Sequence, residues 1–142
     1  LKRDTAMKMD QKMFDAGMAA RRRVLGDAHV DRAAANTTPL TEDFQELITT
    51  YAWHVWTRGA LDDRTRRVLV IGTMMAIGRW EEFDMHVGAA LRDGFPLLDI
   101  RETVIQQGIY CGVPAANTAF HYVQAVVDKL EGEGVDINRA GL

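Results

Sequence analysis

The stretch DDRTRRVLVIGTMMAIG at residues 62–78 decides the fold class of this chain. Asp62 is a suitable N-cap for a helix that continues to Ile77. Val, Leu and Ile cluster in the stretch, as they do in strands, but its length and its Ala/Met ending favour a helix. A helix that is apolar on nearly every side lies in a core or is covered by an oligomer partner. The stretch therefore predicts a central helix and argues against a monomer.

Helical patterns also precede this stretch. Mixed apolar and charged residues over 10–25 predict a first helix, which Gly26 ends. Residues 27–41 are expected to form a connecting arm, because turn-forming residues cluster near its end. Thr41 then caps a second predicted helix, whose apolar residues recur every three or four positions and form a stripe on one face: Phe44, Leu47, Ile48, Tyr51, Ala52 and Val55.

Three further helices are predicted after the central one, over residues 79–93, 99–111 and 114–130. A glycine follows each of the first two, Asp99 caps the second, and Pro114 stands in the first turn of the third. No convincing pair of strands is present in the sequence. The predicted fold class is therefore all-α, with about six helices.

The length of 142 residues predicts one domain over residues 1–142. Its core is expected over about residues 17–130, preceded by an N-terminal helix and arm over residues 1–40. Residues 131–142 are polar and rich in glycine, so we expect a flexible tail there.

The composition excludes several classes of function. The chain has 17 Lys/Arg against 20 Asp/Glu and a formal net charge of −3. The run Arg21-Arg22-Arg23 has no interleaved aromatic residues, so we expect a solvated helix face or a subunit contact, and no nucleic-acid partner. No apolar run approaches the ~20 residues of a membrane span, so no membrane contact is expected. One cysteine, at Cys111, excludes an internal disulfide and indicates a reducing, cytoplasmic setting.

Glu82 and His86 are the first candidates for chemistry. Four residues separate them on a predicted helix, so both side chains lie on the same face. A carboxylate beside an imidazole orients the ring and raises its basicity, as general acid–base catalysis requires. An exposed hydrogen-bonded pair without catalytic function is the alternative, and the spacing alone favours it.

Cys111 and the aromatic residues around Arg58 are further candidates. Cys111 precedes the start of the last predicted helix, whose N-terminus would favour a thiolate, although a lone cysteine is more often inert. The segment YAWHVWTR at residues 51–58 is the densest aromatic cluster. It either packs against a neighbouring element or walls a pocket in which Arg58 offers a fork to a substrate carboxylate.

Other site classes are excluded. The chain contains no serine, which excludes a Ser-His-Asp triad. It also lacks the Glu-x-x-His spacing of a dinuclear metal site and any glycine-rich phosphate loop. We therefore expect no metal site.

Four blocks of sequence, in collinear order, resemble the carboxymuconolactone decarboxylase family. The resemblance spans about residues 17–130 and is carried by RRVLGDAHVDR at 22–32, FQELITTYAW with VWTR at 44–58, EFDMHV at 82–87, and YCGVPAAN followed by AF at 110–120. It implies an AhpD-like fold of small helical subunits that assemble as homo-oligomers, trimers or hexamers, without a cofactor. The alkylhydroperoxidases that share this fold use a CxxC pair, so their chemistry does not carry over to a chain with one cysteine.

The resemblance also implies a reaction and its residues. The implied substrate is 4-carboxymuconolactone, a lactone dicarboxylate that loses CO2. The family's acid/base positions fall on Glu82 and His86, with Cys111 as a second candidate acid. From the demands of this reaction we assign, as our own hypothesis, Arg58 and, more weakly, Arg22 as carboxylate clamps, and Trp56 and Tyr110 to the exclusion of water.

One position departs from the family pattern. A small residue is expected between Trp53 and Val55, where this chain has His54, and the change bears on the size of the pocket and hence on the substrate. Two alternatives stay open beside the lactone decarboxylase: a decarboxylase or isomerase acting on a related lactone, and a non-catalytic helical oligomer of the same fold.

Overall fold

A computed structural model describes residues 8–142, and every regular element in that range is a helix. This confirms the all-α class, with one helix more than the six expected. None of these helices is both long enough and apolar enough to cross a membrane. The seven α-helices are α1 (Gln11–Leu25), α2 (Asp27–Ala35), α3 (Glu42–Leu47), α4 (Asp63–Ala76), α5 (Trp80–Arg92), α6 (Leu97–Cys111) and α7 (Val113–Gly132).

The helices form two compact units. The N-terminal unit ends at Leu61 and contains α1 to α3, and the C-terminal unit, Asp62–Leu142, contains α4 to α7.

The first helix of the N-terminal unit has the predicted bounds. The Asp10 carboxylate accepts a hydrogen bond from the Met13 amide at 2.9 Å and so caps α1. Gly26 ends the helix with φ of 85°, a value that glycine adopts without strain.

The connecting arm predicted over residues 27–41 is wrong for most of its length, because α2 occupies Asp27–Ala35. The guanidinium of Arg22 pairs with Asp27 and Asp31, at 3.1 and 2.9 Å, and Val30 is buried. Contacts with the preceding helix therefore stabilise a second helix where the local sequence had indicated a loop.

The second predicted helix is present but irregular. After α3 the chain continues as a π-helical segment, Ile48–Ala52, and a 3₁₀ segment, Trp53–Thr57. A π turn contains one more residue than an α turn, so the residues after it point in other directions than a regular α-helix would give them. Buried positions are consequently Thr49, Thr50 and Trp53, whereas Phe44, Tyr51 and Val55 of the apolar stripe are exposed.

Helix α1 packs very closely on the π-helical segment. A Cβ atom placed on Gly17 would lie 2.0 Å from the carbonyl oxygen of Thr49. Only a glycine permits this approach of the two backbones. The position of the π-helical segment on α1 therefore depends on Gly17.

In the C-terminal unit, α4 to α7 surround one apolar core. Its largest fully buried side chains include Phe83 and Leu91 from α5 and Ile71 and Met75 from α4. The cap predicted for the central helix is confirmed, since the Asp62 carboxylate accepts from the Thr65 amide at 2.7 Å. This helix is not buried on every side within the chain.

Helix α6 begins earlier than predicted, at Leu97, with Pro96 as its N-cap. Asp99 is therefore in the first turn and does not cap the helix; its carboxylate accepts instead from Arg64 at 2.7 Å. Pro96 has φ of −63° and no N–H, so a helix can start directly after it.

The tail expected to be flexible makes specific contacts in the structure. Ile137 is buried, and the carbonyl of Asn138 accepts a hydrogen bond from the Leu97 amide at 2.9 Å. The side-chain amide of Asn138 donates to the Gly94 carbonyl at 3.2 Å. The tail thus closes over the turn between α5 and α6.

Candidate active site

The first two turns of α5 carry the acid–base pair indicated by the sequence. Glu82 and His86 are both half-buried and lie one turn apart on this helix. Oε1 of Glu82 accepts a hydrogen bond from Nη2 of Arg79 at 2.6 Å, and Oε2 is buried without a hydrogen bond from the described residues. Sequence reasoning missed Arg79, although its i, i+3 spacing from Glu82 was a usable signal.

The charge on Glu82 is stabilised by its surroundings. The hydrogen bond from Arg79 lowers the pKa of the Glu82 carboxyl most, and a backbone amide in the first helical turn and the charge of His86 lower it further. The carboxyl is therefore ionised near neutral pH. An ionised Glu82 places a negative charge one helical turn from the His86 ring.

Aromatic packing fixes the start of α5. Trp80 stacks on Tyr122 of α7 with ring centroids 5.2 Å apart and planes 8° from parallel. Phe83 meets Trp80 edge-on at 5.4 Å. These contacts hold the helical turn that carries Glu82 against the core of the unit.

We expect Arg79→Met to raise the pKa of the Glu82 carboxyl, because the substitution removes the strongest interaction that favours its ionised form. The measurement is an NMR titration of the Glu82 side-chain carboxyl carbon in both proteins. A lowered pKa in the folded state stabilises the fold above the unfolded value of 4.5, and the contribution is lost as the pH falls through the folded pKa. The free energy of unfolding of the variant should therefore decrease less than that of the unsubstituted protein when the pH is lowered.

Arg101→Met is the matched control for this titration, since Arg101 pairs with Glu102 on α6. It should leave the Glu82 midpoint unchanged. An identical Glu82 midpoint in Arg79→Met and the unsubstituted protein would contradict the assignment of Arg79 as the partner that holds Glu82 ionised.

Cys111 and Tyr110 lie at the end of α6, in the same unit as Glu82 and His86. The Cys111 thiol donates to the carbonyl of Gln107, with 3.0 Å between sulfur and oxygen, and packs beside the apolar core. Tyr110 is 78% exposed, so within this chain it shields nothing from water.

The other sequence-predicted residues lie in the N-terminal unit. His54 and Trp56 are half-buried on the 3₁₀ segment, and Arg58 is exposed directly after it. Trp56 stacks on Trp53 with centroids 5.7 Å apart. Nδ1 of His54 is buried without a hydrogen bond from the described residues.

Arg22, suggested as a weaker carboxylate clamp, lies on α1. Its guanidinium pairs with Asp27 and Asp31, and hydrogen bonds to these carboxylates raise its pKa. In the structure it therefore joins α1 to α2. Its neighbour Arg21 is buried, so the three arginines do not form one solvated helix face.

No group of three or more potential metal ligands occurs among residues 8–142.

Comparison with known proteins identifies the family. Residues 42–125 match the model of the carboxymuconolactone decarboxylase family. The chain is 35% identical over 127 residues to the nitrosuccinic acid decarboxylase of Metarhizium robertsii, covering 89% of both proteins. It is 34% identical over 122 residues to the 4-carboxymuconolactone decarboxylase of Acinetobacter baylyi, covering 85% of this chain and 91% of that enzyme.

A third relative is a 4-carboxymuconolactone decarboxylase from Pseudomonas putida. It is 53% identical over 45 residues, which are 31% of this chain and 94% of that sequence. The family match includes α5 with Glu82 and His86 and the Tyr110–Cys111 block. This chain therefore belongs to the carboxymuconolactone decarboxylase family and is a carboxy-lyase.

Proposed function

We propose that the chain converts 4-carboxymuconolactone to 3-oxoadipate enol-lactone and CO2, in the catabolism of aromatic compounds by the β-ketoadipate pathway. The observation that carries this proposal is the similarity to the Acinetobacter enzyme over nearly its whole length. The sequence blocks that resemble this branch, including the Glu82/His86 block, support it further.

The chemistry needs no external electron acceptor. Loss of CO2 from the γ-carbon of the lactone leaves an electron pair, which the conjugated ring passes to the lactone carbonyl as a dienolate. One proton added at the α-carbon completes the enol-lactone. The protein has to hold the carboxylates, stabilise the enolate oxygen and deliver that proton.

His86 is the proposed proton donor. Glu82 is its positioning residue, because an ionised carboxylate one turn away on the same helix favours the protonated ring. Arg79 maintains the ionised state of Glu82 through the 2.6 Å hydrogen bond. Cys111 is the second candidate acid.

The proposed substrate-binding residues of the N-terminal unit are Arg58 and Trp56. The guanidinium of Arg58 is a planar fork, whose geometry matches a carboxylate of the substrate. The indole of Trp56 supplies an apolar wall. His54 fills the place where the family pattern has a small residue, and it is the proposed determinant of substrate choice.

Nitrosuccinic acid is the second candidate substrate, favoured by the similarity of this chain to the Metarhizium enzyme over 89% of both proteins. Decarboxylation of nitrosuccinate has the same chemical requirements as decarboxylation of the lactone. A carboxylate leaves as CO2, the nitro group accepts the electron pair as a nitronate, and one proton returns to carbon, while a second carboxylate is retained.

A homo-oligomer, trimeric or hexameric, is the proposed working form. Apolar side chains along α6 and the start of α7 are exposed: Ile105, Ile109, Tyr110 and Val113. Exposed apolar side chains of this size are typical of a subunit contact. A second copy on this surface would also cover Tyr110. We also propose that the protein is located in the cytoplasm.

The proposed function is tested by incubating purified protein separately with 4-carboxymuconolactone and with nitrosuccinate. Ultraviolet absorbance follows substrate loss, CO2 release is recorded in parallel, and light scattering on the same preparation gives the subunit number. We expect matched lactone loss and CO2 gain. Turnover of nitrosuccinate alone would replace the first substrate by the second. Turnover of neither by a folded protein would contradict both.

A further inference from the structure

The first turn of α5 carries Glu82 but has no side-chain cap. Its N-cap residue is Arg79, whose side chain makes no hydrogen bond to the amides of this turn. A guanidinium contains only donors, so it cannot accept one. The first amides of a helix have no partner within the helix, and helix ends without a cap fray. Helical geometry in this turn therefore depends on another interaction.

Three aromatic rings supply this interaction. Trp80 and Phe83 are three residues apart on α5 and share a face; we call them the α5 aromatic pair. Tyr122 of α7 stacks on Trp80, with ring centroids 5.2 Å apart, and meets Phe83 edge-on at 6.4 Å. Phe83 is fully buried, and the other two rings are half-buried. Tyr122 thus joins the first turn of α5 to α7 through both members of the pair.

The direction of the Glu82 side chain depends on this turn. Glu82 lies between the two members of the α5 aromatic pair, and successive residues of a helix point about 100° apart. A turn that frays or rotates therefore changes where the carboxylate points. The 2.6 Å hydrogen bond from Arg79 to Glu82 spans three residues and depends on the same helical geometry.

We propose that Tyr122 is a positioning residue for Glu82 and His86, which acts by holding the α5 aromatic pair. The Tyr122 ring does the work of the missing cap: it keeps the turn helical, so that the carboxylate of Glu82 stays on Arg79 and one turn from His86. The catalytic part of this proposal rests on the proposed decarboxylation. Its effect on Glu82 is measured without substrate.

Two substitutions of Tyr122 test the effect on Glu82. Tyr122→Leu removes the ring and keeps an apolar side chain, whereas Tyr122→Phe keeps the ring. We expect Tyr122→Leu to raise the pKa of the Glu82 carboxyl toward its ordinary value, because a frayed turn loses the hydrogen bond from Arg79. Tyr122→Phe should keep the pKa of the unsubstituted protein. NMR titration of the Glu82 side-chain carboxyl carbon measures both.

Kinetics with the same variants separate positioning from substrate binding. For whichever candidate substrate the protein turns over, kcat should fall about tenfold or more in Tyr122→Leu, because small misplacements of catalytic groups are costly. KM should stay within about twofold, since Tyr122 acts through the α5 aromatic pair and not on the substrate. Tyr122→Phe should restore kcat.

Val126→Ala is the matched control for a general loss of stability. Val126 is buried one turn after Tyr122 on α7, and it packs 3.8 Å from the position of a Cβ on Gly88, in the later part of α5. Its truncation should lower the free energy of unfolding. It should leave the pKa of Glu82 unchanged, because the first turn of α5 keeps its rings.

A double substitution shows the route of the effect. If Tyr122 acts through the hydrogen bond between Arg79 and Glu82, Tyr122→Leu should raise the pKa of Glu82 much less in an Arg79→Met background. Additive rises would overturn the proposal. Trp80→Leu removes the other stacked ring and should give the same rise as Tyr122→Leu, so it replaces that variant if the latter does not fold.

An unchanged Glu82 pKa in folded Tyr122→Leu would overturn the proposal, and so would an equal rise in Val126→Ala. A raised pKa with unchanged kcat would also overturn it, because Glu82 would then be displaced without consequence. A rise confined to Tyr122→Leu, in a protein that turns over neither substrate, would contradict the proposed function and leave the hold of Tyr122 on Glu82 established.

Discussion

His86→Ala should lower kcat for lactone decarboxylation by about 100-fold or more, because the variant has no group on α5 to return the proton to carbon. The ultraviolet assay with parallel CO2 release measures this loss. KM should change much less than kcat, since the proposed role of the imidazole is in proton transfer and not in holding the substrate carboxylates. Glu82→Gln should lower kcat less and shift its pH profile, as a positioning residue would.

His121→Ala is the matched control. His121 is exposed on α7, has no assigned role, and loses the same side chain on substitution. We expect its kcat to equal that of the unsubstituted protein. Near-normal turnover by a folded His86→Ala protein would remove His86 from the mechanism and make Cys111→Ala the next variant to measure.

Gly17→Ala should destabilise the chain by about 3 kcal/mol, which is large for the addition of one methyl group. The new Cβ would lie 2.0 Å from the Thr49 carbonyl oxygen, and a backbone atom cannot move aside as a flexible side chain can. Either α1 or the π-helical segment has to shift. Urea unfolding followed by circular dichroism measures the free energy of unfolding.

Gly88→Ala provides the comparison, because Gly88 is also a helical glycine. A Cβ there would lie 3.8 Å from Val126, an ordinary van der Waals distance. Alanine is the better helix former, so this variant should be more stable by about 0.5–1 kcal/mol. If both variants had the same stability, the close backbone approach at Gly17 would not be a feature of the folded protein in solution.

Periodicity and capping residues predicted much of the fold. The helix that begins after Asp62 was found with its predicted cap, because a carboxylate that accepts from an amide three residues later is a local interaction. Residues 27–35 were misjudged because α2 depends on the contacts of Arg22 and Val30 with other parts of the unit. The π-helical segment has no local signal of comparable strength.

The sequence likewise predicted only part of the candidate site. The Glu82–His86 spacing was visible in the sequence, because two residues four apart on a helix share a face wherever that helix lies. The dominant partner of Glu82 was not identified, although Arg79 is three residues away, because a surface side chain can adopt several rotamers. The sequence also gave no indication of the contacts of the tail, because Asn138 contacts Gly94 and Leu97, which lie more than forty residues earlier in the chain.

The three consecutive arginines at residues 21–23 show what could not be predicted from the sequence alone. By itself the sequence determined the all-α class, most helix ends and the family, because these depend on spacing along the chain and on motifs. Tertiary structure alone decided that Arg21 is buried beside Thr49, that Arg22 pairs with α2 and that Arg23 is exposed. Successive residues on a helix point about 100° apart, and what each side chain meets is set by segments distant in sequence.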